Sequence, residues 1–212
     1  RSLEVTAMLL LKHTLVMVLA LWLRGDKDMS LLLERAVPPA HPVNAAALGI
    51  TTVEIELAKI TGALDTRVLY GEGQFVMSAI HALKQWRFKV PAGAEVARTS
   101  VTFMFRPPAM YPLNPVATWV RPWMPGEDCP ALPQRVIDPG YPPTSVASGA
   151  VILAAQIDAA GVVTGVETIR GIAPLTEQAR IAVMDWKFSP AMASGRPVSS
   201  TAFVVISFML PM

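Results

Sequence analysis

Apolar residues recur along this chain with two different periods. Between Thr51 and Ile60, Val53, Ile55 and Leu57 alternate with Glu54 and Glu56, which is the period-2 signature of a half-buried strand. Thr61, Gly62 and Ala63 read as a turn and Leu64 to Tyr70 as a second strand, so the pair predicts a hairpin. Past Gly71 and Gly73 the period changes. Phe75, Val76, Ala79, Ile80, Leu83 and Trp86 fall at helical spacings and make one apolar face. Pro91 and Gly93 end that helix. Over Arg98–Arg106, Val101, Phe103 and Phe105 alternate with Thr102 and Met104 in a last strand. The order is strand, strand, helix, strand.

The same order is written again 100 residues later. "ALKQWRF" at Ala82–Phe88 returns as "AVMDWKF" at Ala182–Phe188, and the register runs back through Ala79 and Ala179 and Gly71 and Gly171 to Gly49 and Gly149. Gly149–Asp158 reads as a strand, Ala160 and Gly161 as its turn, and Val162–Arg170 as the second strand. Leu175, Ala179, Ala182, Val183 and Trp186 line the inner side of a helix, with Thr176 as its N-cap and Glu177 in the positive end of its dipole. Thr201–Leu210 closes the unit as a strand. A repeat of this length is domain-sized, not a solenoid unit. The predicted fold class is α+β: two small β-β-α-β modules, each a three-stranded antiparallel sheet plus one helix, after an N-terminal hydrophobic helix. Trp86, Phe88, Trp186 and Phe188 are the expected structural anchors of the two cores.

Residues 1–36 hold that hydrophobic helix. Thr14–Leu23 is uncharged and mostly apolar behind Lys12, the size of a signal-peptide core. No small-x-small cleavage site follows Leu23, which favours an uncleaved anchor over a cleaved signal. Module one occupies 37–106 and module two 141–212. The linker, 107–140, lies in a stretch holding more than half of the chain's 19 prolines, a composition that suits a semi-rigid spacer and not a central strand. Trp119 and Trp123 in it are expected to pack on a module surface.

Composition narrows the chemistry. Charged residues make up 16%, against about 25% in an average soluble domain, and the net charge of +2 gives no electrostatic case for nucleic acid. Cys129 is the sole cysteine, so no internal disulfide forms. A Cys129 nucleophile with His13, His41 or His81 is disfavoured, because no helix N-terminus is at hand to lower the thiol pKa. HExxH, CxxC, GxSxG and P-loop patterns do not occur. Gly71-Glu72-Gly73 reads as a turn, and alternation puts Glu54 and Glu56 on the solvent side of their strand. These observations predict no catalytic residue, no metal site and no cofactor, and a protein that is not an enzyme.

One resemblance adds to this reading. Tyr141 and Pro142, Gly149, Val151, Gly161, Val163, Trp186, Phe188, Pro190, Gly195 and Val198 follow the pattern of the C-terminal domain of TonB-type energy transducers. It covers about Tyr141–Phe208. Module one resembles the same domain more loosely through Gly49, Gly62, Trp86 and Phe88, with His41 and Pro42 where the tyrosine motif stands. The resemblance implies a periplasmic domain attached to the inner membrane through the N-terminal helix. It also implies capture of an outer-membrane receptor segment as an added strand, in support of energy-dependent transport. Two family features are missing: a long Pro/Lys/Glu-rich spacer before module one, and a His-bearing helix for coupling to a proton-driven motor. The alternative is the C-terminal periplasmic binding region of a membrane-bound sensor or metallopeptidase, with the remainder upstream of Arg1.

The expected partner-binding edge is the last strand: Thr201, Ala202, Phe203, Val204, Val205, Ile206, Ser207 and Phe208. It is apolar on both faces, more than a strand covered on one side requires. Such a strand calls for a cover: the other module, a second copy in a homodimer, or a receptor peptide.

Overall fold

The computed structural model describes residues 33–42, 47–57, 64–71, 73–89, 97–118, 127–143 and 145–210. The expected N-terminal helix and first hairpin turn, with Pro91, Gly93, Trp119 and Trp123, lie outside these residues. The fold is α+β, with strands predominating and two helices.

The first half contains β1 (Leu33–Arg35), β2 (Gly49–Leu57), β3 (Leu64–Tyr70), α1 (Gly73–Leu83), β4 (Arg87–Phe88) and β5 (Ala97–Phe105). Two strands follow in the proline-rich segment, β6 (Val116–Ala117) and β7 (Leu132–Val136). The second half contains β8 (Gly149–Ile157), β9 (Val163–Arg170), α2 (Leu175–Met184) and β10 (Lys187–Ser189). It ends with the small hairpin β11 (Ala191–Ala193) and β12 (Arg196–Val198), then β13 (Ser200–Phe208). The helices end three and two residues before the tryptophan that the apolar spacing placed last in them.

The sheets expected from the sequence are not separate. β3, β2, β5, β13, β8 and β9 lie side by side in one six-stranded sheet. Pairing is antiparallel within β3-β2-β5 and within β13-β8-β9. The two sets join where β5 and β13 run parallel, Phe203 opposite Val101 through Ser207 opposite Phe105.

Alternation along β13 explains the two layers of core. Phe203 and Val205 pack in one cluster with Val101, Phe103, Ala79, Leu83 and Trp86. Ala202, Val204, Ile206 and Phe208 pack in the other with Leu153, Ala179, Val183 and Trp186. Successive strand residues point to opposite faces, so α1 and α2 cover opposite faces of the shared sheet. Each cluster also takes strand residues from the other half: Ile152 lies in the α1 cluster, Ile50 and Met104 in the α2 cluster.

Each helix is tied to a leading segment by its tryptophan. Trp86 donates its indole N–H to the Val37 carbonyl at 2.9 Å, and Trp186 to the Ile137 carbonyl at 3.0 Å. The strands beside them match: β1 pairs β4, and β7 pairs β10. The proline-rich segment, expected as a spacer, therefore supplies strands. Pro133 sits in it opposite Phe188, in a three-stranded sheet with β6 that stands apart from the large one.

Two local expectations change. Thr176 is not the N-cap of α2; Pro174 holds that position without a side-chain bond. Thr176 lies one residue inside the helix, where its hydroxyl accepts from the Ile172 N–H at 2.7 Å. Glu54 is not on the solvent side. It is 6% exposed and accepts from Arg67 Nε at 2.8 Å, because its face is crossed by the chain around Ala131, whose carbonyl accepts from Ser100 Oγ at 2.6 Å. The turn at Gly161 does require glycine: its φ is +81°, and a Cβ would meet the Phe188 carbonyl oxygen at 2.1 Å.

The interleaved cores predict one cooperative unit. Replacing Trp186 (0% exposed) or Trp86 by alanine should cost about 3–5 kcal/mol and lower the denaturant midpoint of the whole sheet. The check is urea unfolding followed by far-ultraviolet dichroism and by the remaining tryptophans. Two separate transitions would contradict it.

Candidate functional site

The sequence points to the last strand as the binding edge, and the structure corrects this. β13 is inside the sheet, bonded antiparallel to β8 over Ser200–Phe208 and parallel to β5 over Phe203–Ser207. Its backbone groups are used on both sides along the central five residues. The physical reason is the two-faced apolar pattern: a strand with Phe203 and Val205 on one side and Val204 and Ile206 on the other needs neighbours on both edges and cover on both faces. The other half of the same chain supplies that cover. Thr201 to Phe208 are all buried.

The four expected anchors are placed around this strand. Trp86 meets Phe203 edge-on at 5.6 Å between ring centroids, and Phe88 meets the same ring at 6.1 Å. On the other face Trp186 stacks near Phe188 at 6.2 Å.

The outer strands of the sheet are β3 and β9, each with one ladder partner among the described residues. Both carry a bulge at the same relative place. Thr52 faces Tyr70 while Val53 faces Val68, leaving Leu69 unpaired; Ile152 faces Arg170 while Leu153 faces Thr168, leaving Ile169 unpaired. A second irregularity lies between Gln156 and Ile157, opposite Gly165 and Val163. Bulges and charges such as Asp65, Arg67, Glu167 and Arg170 blunt open edges against unselective pairing. The longest regular outer run is Leu64–Val68 on β3.

Where β5 ends, a buried ion pair ties it to the proline-rich segment. The Arg106 guanidinium donates to both carboxylate oxygens of Asp138, Nε to Oδ1 and Nη2 to Oδ2, and neither side chain is exposed. Asp138 also accepts from the Leu113 N–H at 2.9 Å. Arg106 Nη2 reaches the Ala109 carbonyl at 3.2 Å, its backbone N–H donates to Ser207, and its guanidinium lies 5.5 Å from the centre of the Phe208 ring. His41 Nε2 lies 3.0 Å from the Arg106 carbonyl. No sequence pattern signals this pair, since Arg106 stands at a strand end and Asp138 in a proline-rich stretch. It fixes the segment between the halves against the end of the parallel seam.

A surface recess of about 360 Å³ opens beside β3, lined by Glu54, Glu56, Asp65, Arg67, Arg98 and Asp128 among others. Its two arginines are engaged, Arg67 with Glu54 and Arg98 with Glu56 at 2.9 Å. Among the described residues no group of three or more His, Cys, Asp or Glu is placed to hold a metal ion. Cys129 is buried, and its backbone pairs with Met192. Burial pushes its thiol pKa above the ordinary value, helped by Glu54, Asp128 and Glu127 and opposed by its bond to the Met192 backbone. His41 lies against Arg106 and Phe105, and His81 is exposed on α1 beside Gln85.

Residues 139–210 match the family model of the Gram-negative bacterial TonB protein C-terminal. That family is a non-enzymatic energy-transducing and binding domain, periplasmic and membrane-anchored, whose members interact with outer-membrane receptors. The matched span contains β8 to β13 and α2. Comparison with curated proteins and with solved structures gave no match. Among the described residues no helix is long and apolar enough to cross a membrane.

The buried pair and the buried thiol can each be tested. Asp138→Asn leaves a buried guanidinium uncompensated and should cost about 3–5 kcal/mol, whereas the apolar pair Arg106→Met with Asp138→Leu should cost clearly less; urea midpoints of the three proteins decide it. Cys129 should resist alkylation in the folded protein at pH 8 and react at an ordinary thiol rate in urea, since a raised pKa and burial both deprive it of thiolate. Its linkage has the opposite sign to that of a group whose pKa folding depresses. As pH rises past the ordinary value of 9.0 the unfolded thiol ionises first, so the folded state loses stability there.

Proposed function

We propose that the chain is a TonB-like periplasmic binding protein in which two copies of one unit are fused through their last strands and held at the inner membrane by the N-terminal helix. The observation that carries this is the family match over 139–210. The first half supports the two-copy reading by repeating the same bonds at a constant offset. Trp86 to Val37 and Trp186 to Ile137 both span 49 residues, and the bulges at Leu69 and Ile169 lie 100 apart. On this reading each copy begins before its first sheet strand, at β1 and at β7, so the second copy reaches back into the proline-rich segment.

The partner is an extended segment of an outer-membrane receptor, taken up as a strand in support of energy-dependent transport. Because β13 is closed on both sides, the docking edge is β3 over Leu64–Val68, the longest regular outer run, where an added strand displaces Asp65 Oδ1 from the Thr66 N–H that it now accepts from at 2.8 Å. Main-chain bonds supply affinity there, and the exposed Val68 offers an apolar contact that selects the partner's side chain.

The test is amide-resolved NMR of the chain titrated with a receptor-derived peptide. Leu64–Val68 amides should shift and gain exchange protection while β13 amides stay unmoved. Changes at β9 in place of β3 would reject the assignment to β3, and no change on either edge would reject strand addition.

A further inference from the structure

The outer face of α1 differs from that of α2, although the two helices occupy equivalent places. Met77, His81 and Lys84 lie at i, i+4 and i+7, a single exposed stripe on α1. Arg87 and Lys89 continue it past the helix end, both exposed. Phe88 between them turns inward to Trp86 and Phe203, so its two neighbours turn outward. Across the β1–β4 ladder Arg35 stands directly opposite Arg87. Like charges facing each other across a strand pair are destabilising, and the helix C-terminus accounts for only one of these two. Arg87 is the one accounted for: its Nη1 donates to the Lys84 carbonyl at 3.1 Å and the Trp86 carbonyl at 2.8 Å. Arg35 has no such role. None of the ion pairs among the described residues involves Arg35, Lys84, Arg87 or Lys89. The only acid in β1 or α1 is Glu34.

One hundred residues on, the stripe reads Glu177, Ile181 and Met184, with Arg180 paired to Glu177 at 2.9 Å. The α2 face is therefore mixed in charge and exposes Ile181, while the α1 face carries cations around an exposed Met77 that is 71% accessible. The two faces point away from each other, so one flat surface meets only one of them.

The α1 face also lies where the chain leaves for its apolar leader. Residues 24–32 separate Leu23, the end of the apolar run, from Leu33 of β1. Nine residues span at most roughly 30 Å when fully extended. A bilayer that holds the leader is thus within one domain's width of the cationic face. We infer that the α1 face docks on an anionic lipid surface, with Arg35, Lys84, Arg87 and Lys89 at the headgroups and Met77 entering the interface. This rests on the reading of the leader as a membrane anchor. Basic clusters beside an anchor gain from the negative surface potential of such a bilayer, and an exposed apolar side chain among them adds interfacial burial.

The experiment places an environment-sensitive fluorophore on M77C or, as the opposite-face control, I181C, each in a C129A background, in the full chain reconstituted into vesicles. Vesicles of phosphatidylcholine alone are compared with vesicles containing one quarter phosphatidylglycerol. On the anionic vesicles the label at position 77 should brighten and shift to the blue, and the label at 181 should not. The response should fall away in 1 M salt, where the screening length is about 3 Å. R35Q/K84Q/K89Q, which spares the helix-capping Arg87, should remove most of it while leaving the far-ultraviolet spectrum unchanged. An equal response at 181, no dependence on phosphatidylglycerol, or no effect of the triple variant would overturn the inference. A response that follows protein concentration and not lipid would assign the face to a second copy and overturn it too. Flotation separates the two readings. Protein that floats with neutral vesicles but shows no lipid-dependent signal keeps the anchor and loses the docking face. Protein that floats with neither vesicle loses both.

Discussion

The parallel pairing of β5 with β13 is the constraint on which the rest of the molecule depends. A strand as apolar on both faces as β13 has no stable place at a solvent-exposed edge. Joining the two last strands gives each a second ladder partner and buries their side chains in two layers. The helices then have to lie on opposite faces, because β13 sends alternate residues to each. A pair of three-stranded sheets, each of marginal size alone, becomes one sheet with two cores. The Arg106–Asp138 pair sits at the end of this seam and closes it against the segment that connects the halves.

The seam also sets what the protein has left to offer a partner. Family resemblance and strand pattern both direct attention to the last strand, but that strand is spent in holding the fold together. Opening it would expose Phe103, Phe203 and Val205, among the most deeply buried residues of the chain. Binding surfaces are therefore pushed outward, to β3 and β9, and to the exposed stripes of the helices. The two helices differ where this matters: the α1 stripe is cationic and the α2 stripe is not.

Much of the element order was legible from periodicity, because the strands and helices of this chain are strongly patterned. Val53, Ile55 and Leu57 mark β2, and the spacing from Phe75 to Leu83 marks α1. The two tryptophans stood out in the sequence by their spacing, and both are buried. Other features were not legible. Pairing between strands about 100 residues apart leaves no local signal, and the excess apolarity of Val204 and Ile206 indicated a cover without naming it. Leu132–Val136 was hidden by the prolines around it, which read as spacer although Pro133 is tolerated in a short strand away from the main sheet. Glu54 looked solvent-facing because alternation cannot show that a distant segment crosses above it. The Arg106–Asp138 pair, between a strand end and a loop, follows no periodic rule at all.

Amide hydrogen exchange along β13 under native conditions tests the central claim most directly. If the last strand is sealed between β5 and β8, the amides of Phe203 to Ser207 should exchange only through global unfolding, tracking the stability of the whole sheet as denaturant is added. The amides of β5 that bond to it should behave alike. If alternate amides of β13 exchanged through a lower-energy opening while those bonded to β8 remained protected, the seam would be a separable contact. The last strand would then be an available edge after all, which contradicts a sheet held together at the β5–β13 pairing.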